Sequence, residues 1–143
     1  MNIVPIHGGG GDVPMPVWDE IFTDELLQAR AREVWAQTVA EMRDSGTLAP
    51  INANQIKRYV IACVMFDDAT AKVAEQGPVT PAKRSNMPSW NPWWTVLKDA
   101  NTMASEHEDK LGLSPRRRAQ VAKVQKKARA ATSADRFLSA AKA

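Results

Sequence analysis

Eight consecutive apolar residues in the middle of a long helical segment constrain the fold more than any other feature of this chain. The segment runs from about Asn52 to Glu75 and ends at Gly77-Pro78, and its centre is apolar from Tyr59 to Phe66. A helix without a polar face is buried on every side. A chain of 143 residues has too few helices to surround it completely, and large exposed apolar patches mark contact sites. The run therefore predicts an all-α fold that assembles into a homo-oligomer.

Two other helices of the predicted core have clear start and stop signals. The first runs from Asp24 to Asp44, with Thr23 or Asp24 as its cap and Ser45-Gly46 at its end. The other begins at Asn91-Pro92, with asparagine as the cap and proline at the first helical position. The first two long helices are predicted to form a helical hairpin. The segment from Gln76 to Trp90, which separates the second helix from the third and contains three prolines, is predicted to be a loop.

The two tryptophans at the start of the Asn91-Pro92 helix point in different directions. Trp93 lies on the apolar stripe of that helix, whereas Trp94 is turned by about 100° from it. We therefore expect Trp94 at a boundary, either between subunits or between its helix and the loop from Gln76 to Trp90. The predicted oligomer interface combines it with the apolar run: Tyr59, Ile61, Val64, Met65, Phe66 and Trp94.

The charge balance reverses at Gly112. Residues 1–111 carry ten basic and fifteen acidic side chains, whereas the rest carries nine basic side chains and the single acid Asp135. A further helix starts there, with Ser114 as its cap and Pro115 at its first position. An acidic body with a basic arm is the charge layout of a protein that binds nucleic acid or an acidic surface, although a solvated basic helix has the same composition.

The basic side chains cover about half of the circumference of this helix, which suits a charged backbone better than a narrow set of base edges. Lysines and arginines elsewhere could form a second DNA-binding surface. The predicted DNA-binding residues are Arg116, Arg117, Arg118, Lys123, Lys126, Lys127 and Arg129, and the possible secondary set is Lys57, Arg58, Lys83 and Arg84. The chain then divides into a flexible arm with four consecutive glycines (1–17), an oligomerisation core (18–113, with the loop 76–90) and a basic helix with its tail (114–143).

No residue pattern indicates catalysis, a cofactor or a metal. The glycines at 8–11 are not followed by the Lys-Ser/Thr of a phosphate loop, and His107 has no neighbours at metal-ligand spacing. Cys63, the single cysteine, lies in the apolar run and has no acid–base partner, so we expect a core residue in a reducing compartment. No signal peptide is visible, and the longest apolar run is far shorter than the roughly 20 residues of a membrane span. The chain is therefore expected to be soluble and intracellular.

The order of these pieces resembles one family of terminase small subunits from tailed bacteriophages. The likeness covers about residues 20–122, and its most specific motif is Leu-Gly-Leu-Ser-Pro-x-x-Arg at Leu111–Arg118. An acidic residue common at the start of the second helix is replaced by Asn52 or Asn54, and either can still cap the helix. The remaining matching pieces are Glu33-Val34-Trp35, Gly46-Thr47-Leu48, Arg58-Tyr59, Glu75-Gln76-Gly77-Pro78 and Asn91-Pro92.

The resemblance implies a DNA-packaging subunit without enzymatic activity. Such proteins are mostly helical, form ring-like homo-oligomers, bind double-stranded viral DNA and regulate a separate large subunit that carries the ATPase and nuclease. Their place of action is the cytoplasm of the infected bacterial host. Two other interpretations compete: a helical interaction module unrelated to phages, whose basic arm binds nucleic acid or acidic surfaces, and a small enzyme. A membrane surface fits less well, because the basic helix has no large apolar residues opposite its charges.

Overall fold

The computed structural model describes residues 13–116, 118 and 119, and within them the fold is mostly helical. Three long helices, α1 (Glu25–Asp44), α2 (Ala53–Gln76) and α3 (Pro92–Leu111), follow one another along the chain. Short 3₁₀ turns precede the first two of them, at Trp18–Glu20 and Pro50–Asn52. The chain divides into two compact units, Met1–Leu111 and Gly112–Ala143.

The starts of α1 and α3 agree with the capping signals in the sequence, whereas Asn52 precedes α2 without a side-chain cap hydrogen bond. Asp24 caps α1 by accepting a hydrogen bond from the Leu26 amide at 2.8 Å, and Asn91 caps α3 through a bond of 3.0 Å from the Trp93 amide. Gly46 and Gly112 follow α1 and α3 with φ of +71° and +73°, the left-handed conformation that ends helices. The predicted bounds of these helices are therefore confirmed to within a residue.

One part of the all-α prediction is wrong, because the segment from Gln76 to Trp90 contains a small sheet. Strands β1 (Val79–Pro81) and β2 (Pro88–Trp90) pair antiparallel, with Val79 opposite Trp90. The prolines that suggested an irregular loop are tolerated because a two-stranded ribbon has only edge strands, where a missing amide donor costs little. The predicted loop is thus an ordered β-hairpin between α2 and α3.

The core of the first unit is built around α2, which packs against both α1 and α3. Ile56, Val60 and Val64 of α2 are fully buried, as is Met42 of α1. Each such side chain contributes about 1.5–3 kcal/mol through removal of apolar surface from water. A second cluster packs against the middle of α1, where Trp18 meets the edge of Trp35 with a ring-centroid distance of 6.0 Å.

Candidate nucleic-acid interface

The described start of the basic arm is helical, as the Ser-Pro signal predicts, but the buried Ser114 hydroxyl has no hydrogen-bond partner among the described residues and does not cap the helix as expected. Residues 115, 116, 118 and 119 have helical conformation, and the Arg118 amide donates to the Ser114 carbonyl at 3.0 Å. The side chain of Arg118 folds back and donates from Nε to the Leu113 carbonyl at 2.8 Å. Arg116 and Arg118 are exposed, so both cations are accessible at the first turn of this helix.

The rest of the predicted DNA-binding set lies outside the described residues. This applies to Arg117, Lys123, Lys126, Lys127 and Arg129. For these five residues the DNA-binding assignment stays a prediction from charge and helical spacing.

The structure separates the four residues of the possible secondary DNA surface into two places. Lys57 and Arg58 lie near the first turn of α2, whereas Lys83 and Arg84 lie in the turn between β1 and β2, beyond the other end of that helix. From Arg58 to the end of α2 the helix rises by about 27 Å at 1.5 Å per residue. The four cations therefore do not form one patch, and any DNA contact made by one pair is independent of the other.

The residues predicted to form the oligomer interface differ in how far the protomer itself buries them. Val64 has 0% of its surface exposed, so it belongs to the core of the protomer itself. Ile61, Met65 and Phe66 are half-buried, although they lie in the same apolar run. Phe66 and Tyr59 also line a cavity of about 300 Å³ between the three helices. The chain therefore covers one side of the run and leaves apolar surface on the other.

Trp94 lies at one of the two boundaries that its angular offset predicts. Its ring stacks on Trp90 of β2, with centroids 6.4 Å apart and ring planes inclined by 19°. Trp93 is half-buried on the other side, where the ammonium of Lys72 lies 3.7 Å from the ring centroid. The contact between α3 and the segment 76–90 is thus confirmed, and the role of Trp94 between subunits stays a prediction.

A partly buried polar cluster joins α2 and α3, and the sequence analysis did not predict it. The side-chain amide of Gln55 hydrogen-bonds Nδ1 of His107, and the Tyr59 hydroxyl donates to Oε1 of Glu108 at 3.1 Å. Burial raises the pKa of Tyr59 and that of the Cys63 thiol. Cys63 is therefore held as the neutral thiol. It is half-buried and lines the cavity between the three helices, so the expected place in the core is only partly confirmed.

Protonation of His107 should weaken the fold. His107 is only 8% exposed, and burial, followed by the charges of Lys110 and Arg58, lowers its pKa below the usual 6.5. The unfolded chain therefore binds the proton more readily, so stability is present above about pH 6.5 and is lost as pH falls towards the lowered pKa. We expect the urea midpoint to drop between about pH 7.5 and about pH 5.5, and to drop less in His107→Gln. Identical pH dependence in the two proteins would show that His107 is not the group responsible.

The described residues contain no grouping of three or more His, Cys, Asp or Glu side chains that could hold a metal ion. Within the same part of the chain, the helices are too short or too polar to cross a bilayer. At the surface of this unit, Arg30 forms exposed ion pairs with Glu33 and Asp67, each with an N–O distance of 2.8 Å.

The chain belongs to the family of phage terminase small subunits. The family model for the phage terminase small subunit matches residues 31–128, which is more than half of the sequence. The match spans most of α1, all of α2, the hairpin, α3 and the first part of the basic arm. It decides against a module unrelated to phages and assigns the chain to phage DNA packaging. No curated protein and no solved structure matches the chain.

Proposed function

We propose that this chain binds double-stranded viral DNA through its basic arm and recruits the large terminase subunit to begin packaging. The observation that carries the proposal is the reversal of charge at Gly112. The unit that ends at Leu111 has a net charge of −5, whereas the sequence from Gly112 onward has a net charge of +8. A polyanion would be repelled by the first unit and attracted to the second.

The arm is suited to backbone recognition. Seven of its cations lie in the sequence from Arg116 to Arg129, where helical spacing would spread them around the helix that the sequence predicts. Such a distribution matches phosphates better than base edges. Each phosphate contact releases counterions, so affinity should fall steeply with salt. Sequence preference then arises from the shape and deformability of the DNA.

Self-association is the second part of the proposal. Ile61 and Met65, the partly accessible apolar residues of α2 that do not line the cavity between the helices, form the surface on which a second copy packs. A ring of such copies would place several basic arms on one DNA molecule, and linkage raises their effective concentration. Light scattering across a dilution series tests this part, since a monomer at every concentration would contradict it.

We infer that the chain acts in the cytoplasm of the infected bacterium without enzymatic activity of its own. The purified chain should neither hydrolyse ATP nor cleave DNA, because its sequence has no phosphate-binding loop and no recognisable carboxylate cluster of a two-metal nuclease. The measurement is ATP turnover and nicking of plasmid DNA with magnesium or manganese. Cleavage that persists after purification to homogeneity would overturn the inference.

The recruitment step has a direct test. The ATPase activity of the large terminase subunit is measured with DNA, first alone, then with the full chain, and then with a chain that ends at Leu113. The full chain should change the ATPase rate of the large subunit. The shortened chain should change it less, because it lacks the proposed DNA-binding residues. No effect of the full chain at saturating concentration would contradict the regulatory role.

A further inference from the structure

The hairpin between α2 and α3 presents two cations on an ordered turn. Strands β1 and β2 are closed by hydrogen bonds from the Ala82 amide to the Met87 carbonyl and from the Asn86 amide to the Ala82 carbonyl, each at 2.9 Å. Asn86 has φ of +52°, a left-handed conformation that asparagine adopts more readily than most residues. Lys83 and Arg84 therefore project from a defined turn.

The base of the hairpin is fixed to the helices by a single buried asparagine. Asn91 is 1% exposed, and its side-chain amide donates to the Gly77 carbonyl at 2.9 Å and to Oε1 of Gln76 at 3.3 Å. Its own amide donates to the Pro78 carbonyl at 2.9 Å. With both strands tied to the end of α2 and the start of α3, the direction of the turn is set by the helical core.

The charge of this segment differs from that of the unit that carries it. Residues 76–97 contain two basic side chains, Lys83 and Arg84, and no Asp or Glu, although the unit up to Leu111 has a net charge of −5. Among the residues that the structure describes, no salt bridge involves Lys83 or Arg84, and both are exposed. Two unpaired cations on a projecting turn in an acidic unit are complementary to an external anion.

The turn of the hairpin has side chains that fit a nucleic-acid groove. Ser85 and Asn86 in the turn can donate to phosphates and base edges, and Met87 beside them is 65% exposed. A two-stranded ribbon fits the major groove of DNA, where an exposed apolar side chain can contact the methyl group of thymine. A nucleic acid, with phosphates and apolar groups on its base edges, therefore matches this surface better than a simple anion does.

We propose that the hairpin is a second DNA-contacting element, in which Lys83 and Arg84 bind phosphates and the turn enters a groove. This proposal rests on the proposed function, because it adds a contact from the core to DNA held by the basic arm. Lys57 and Arg58, at the far end of α2, do not belong to this element.

The test compares Lys83→Ala/Arg84→Ala with Arg32→Ala/Lys98→Ala in the full chain. The control pair removes two exposed cations from α1 and α3 and so matches the change in net charge. Affinity for a fluorescent DNA duplex is measured by anisotropy at several salt concentrations. The hairpin variant should bind more weakly, and the slope of log affinity against log salt should fall by about 0.9 for each lost phosphate contact, whereas the control slope stays unchanged.

The outcomes separate this inference from the proposed function. If the full chain binds DNA and the hairpin variant keeps its affinity and slope, the hairpin is not a DNA contact and the proposed function stands. Equal losses in both variants would indicate only a general effect of net charge and would also overturn the inference. If the hairpin variant instead loses only its effect on the ATPase of the large subunit, the turn binds an acidic protein surface. If the full chain itself does not bind DNA, the proposed function is wrong, and the inference about the hairpin is wrong with it.

Discussion

Replacing Val64 with aspartate should unfold the helical core. Val64 is fully buried at the centre of α2, and no cation lies beside it in this helix between Tyr59 and Phe66. An unpaired carboxylate there loses its hydration without gaining a partner, and also replaces a well-packed apolar side chain. The expected loss exceeds about 4 kcal/mol, which is a large part of the stability of a domain of this size.

Urea denaturation followed by circular dichroism measures this effect. The matched control is Asn54→Asp, which places the same carboxylate in the exposed first turn of α2, where the helix dipole favours it. The variant Ile61→Asp separates folding from assembly. Because Ile61 is half-buried, this variant should dissociate into protomers while it keeps its helical content. A Val64→Asp protein with the midpoint of the parent would show that the packing described here is wrong.

Removal of the chain after Leu113 should abolish most of its affinity for DNA. The deletion takes away nine basic residues and leaves a unit of net negative charge. Electrostatic contacts supply nearly all non-specific binding, so the loss of up to seven phosphate contacts should lower affinity by more than about 100-fold near 0.1 M salt. The three long helices end before the deletion, so the shortened chain should keep its helical content.

A chain that ends at Ala130 is the control for this deletion. It keeps all seven proposed DNA-binding residues and loses only the tail with Asp135, Arg136 and Lys142. Its affinity and its salt slope should match those of the full chain. If the chain that ends at Leu113 forms the same oligomer and binds DNA with unchanged affinity and slope, the arm is not the DNA site.

The helices were predictable because their signals are local. Asp24 and Asn91 cap helices through hydrogen bonds to amides two residues ahead, so the short sequence around each cap contains the whole interaction. The sheet was not predictable by the same means. Its strands have three residues each and contain prolines. The base of the hairpin is fixed by the hydrogen bond from the Asn91 side chain to the Gly77 carbonyl, which lies fourteen residues earlier in the sequence.

Sequence pattern also could not decide which side of the apolar run is covered. All residues from Tyr59 to Phe66 are apolar, so periodicity distinguishes no face, and only the packing of α1 and α3 separates buried Val64 from half-buried Phe66. The burial of His107 has the same origin, because its partner Gln55 lies 52 residues away on α2. The candidate DNA site, in contrast, follows from charge, which needs no knowledge of packing.

Electron microscopy of the purified full chain, with and without double-stranded DNA, tests the central claim most directly. We expect ring-shaped homo-oligomers that associate with the DNA, and the same rings without bound DNA for the chain that ends at Leu113. Single protomers, or rings that leave the DNA bare at low salt, would contradict the assignment of this chain as an oligomeric DNA-binding subunit.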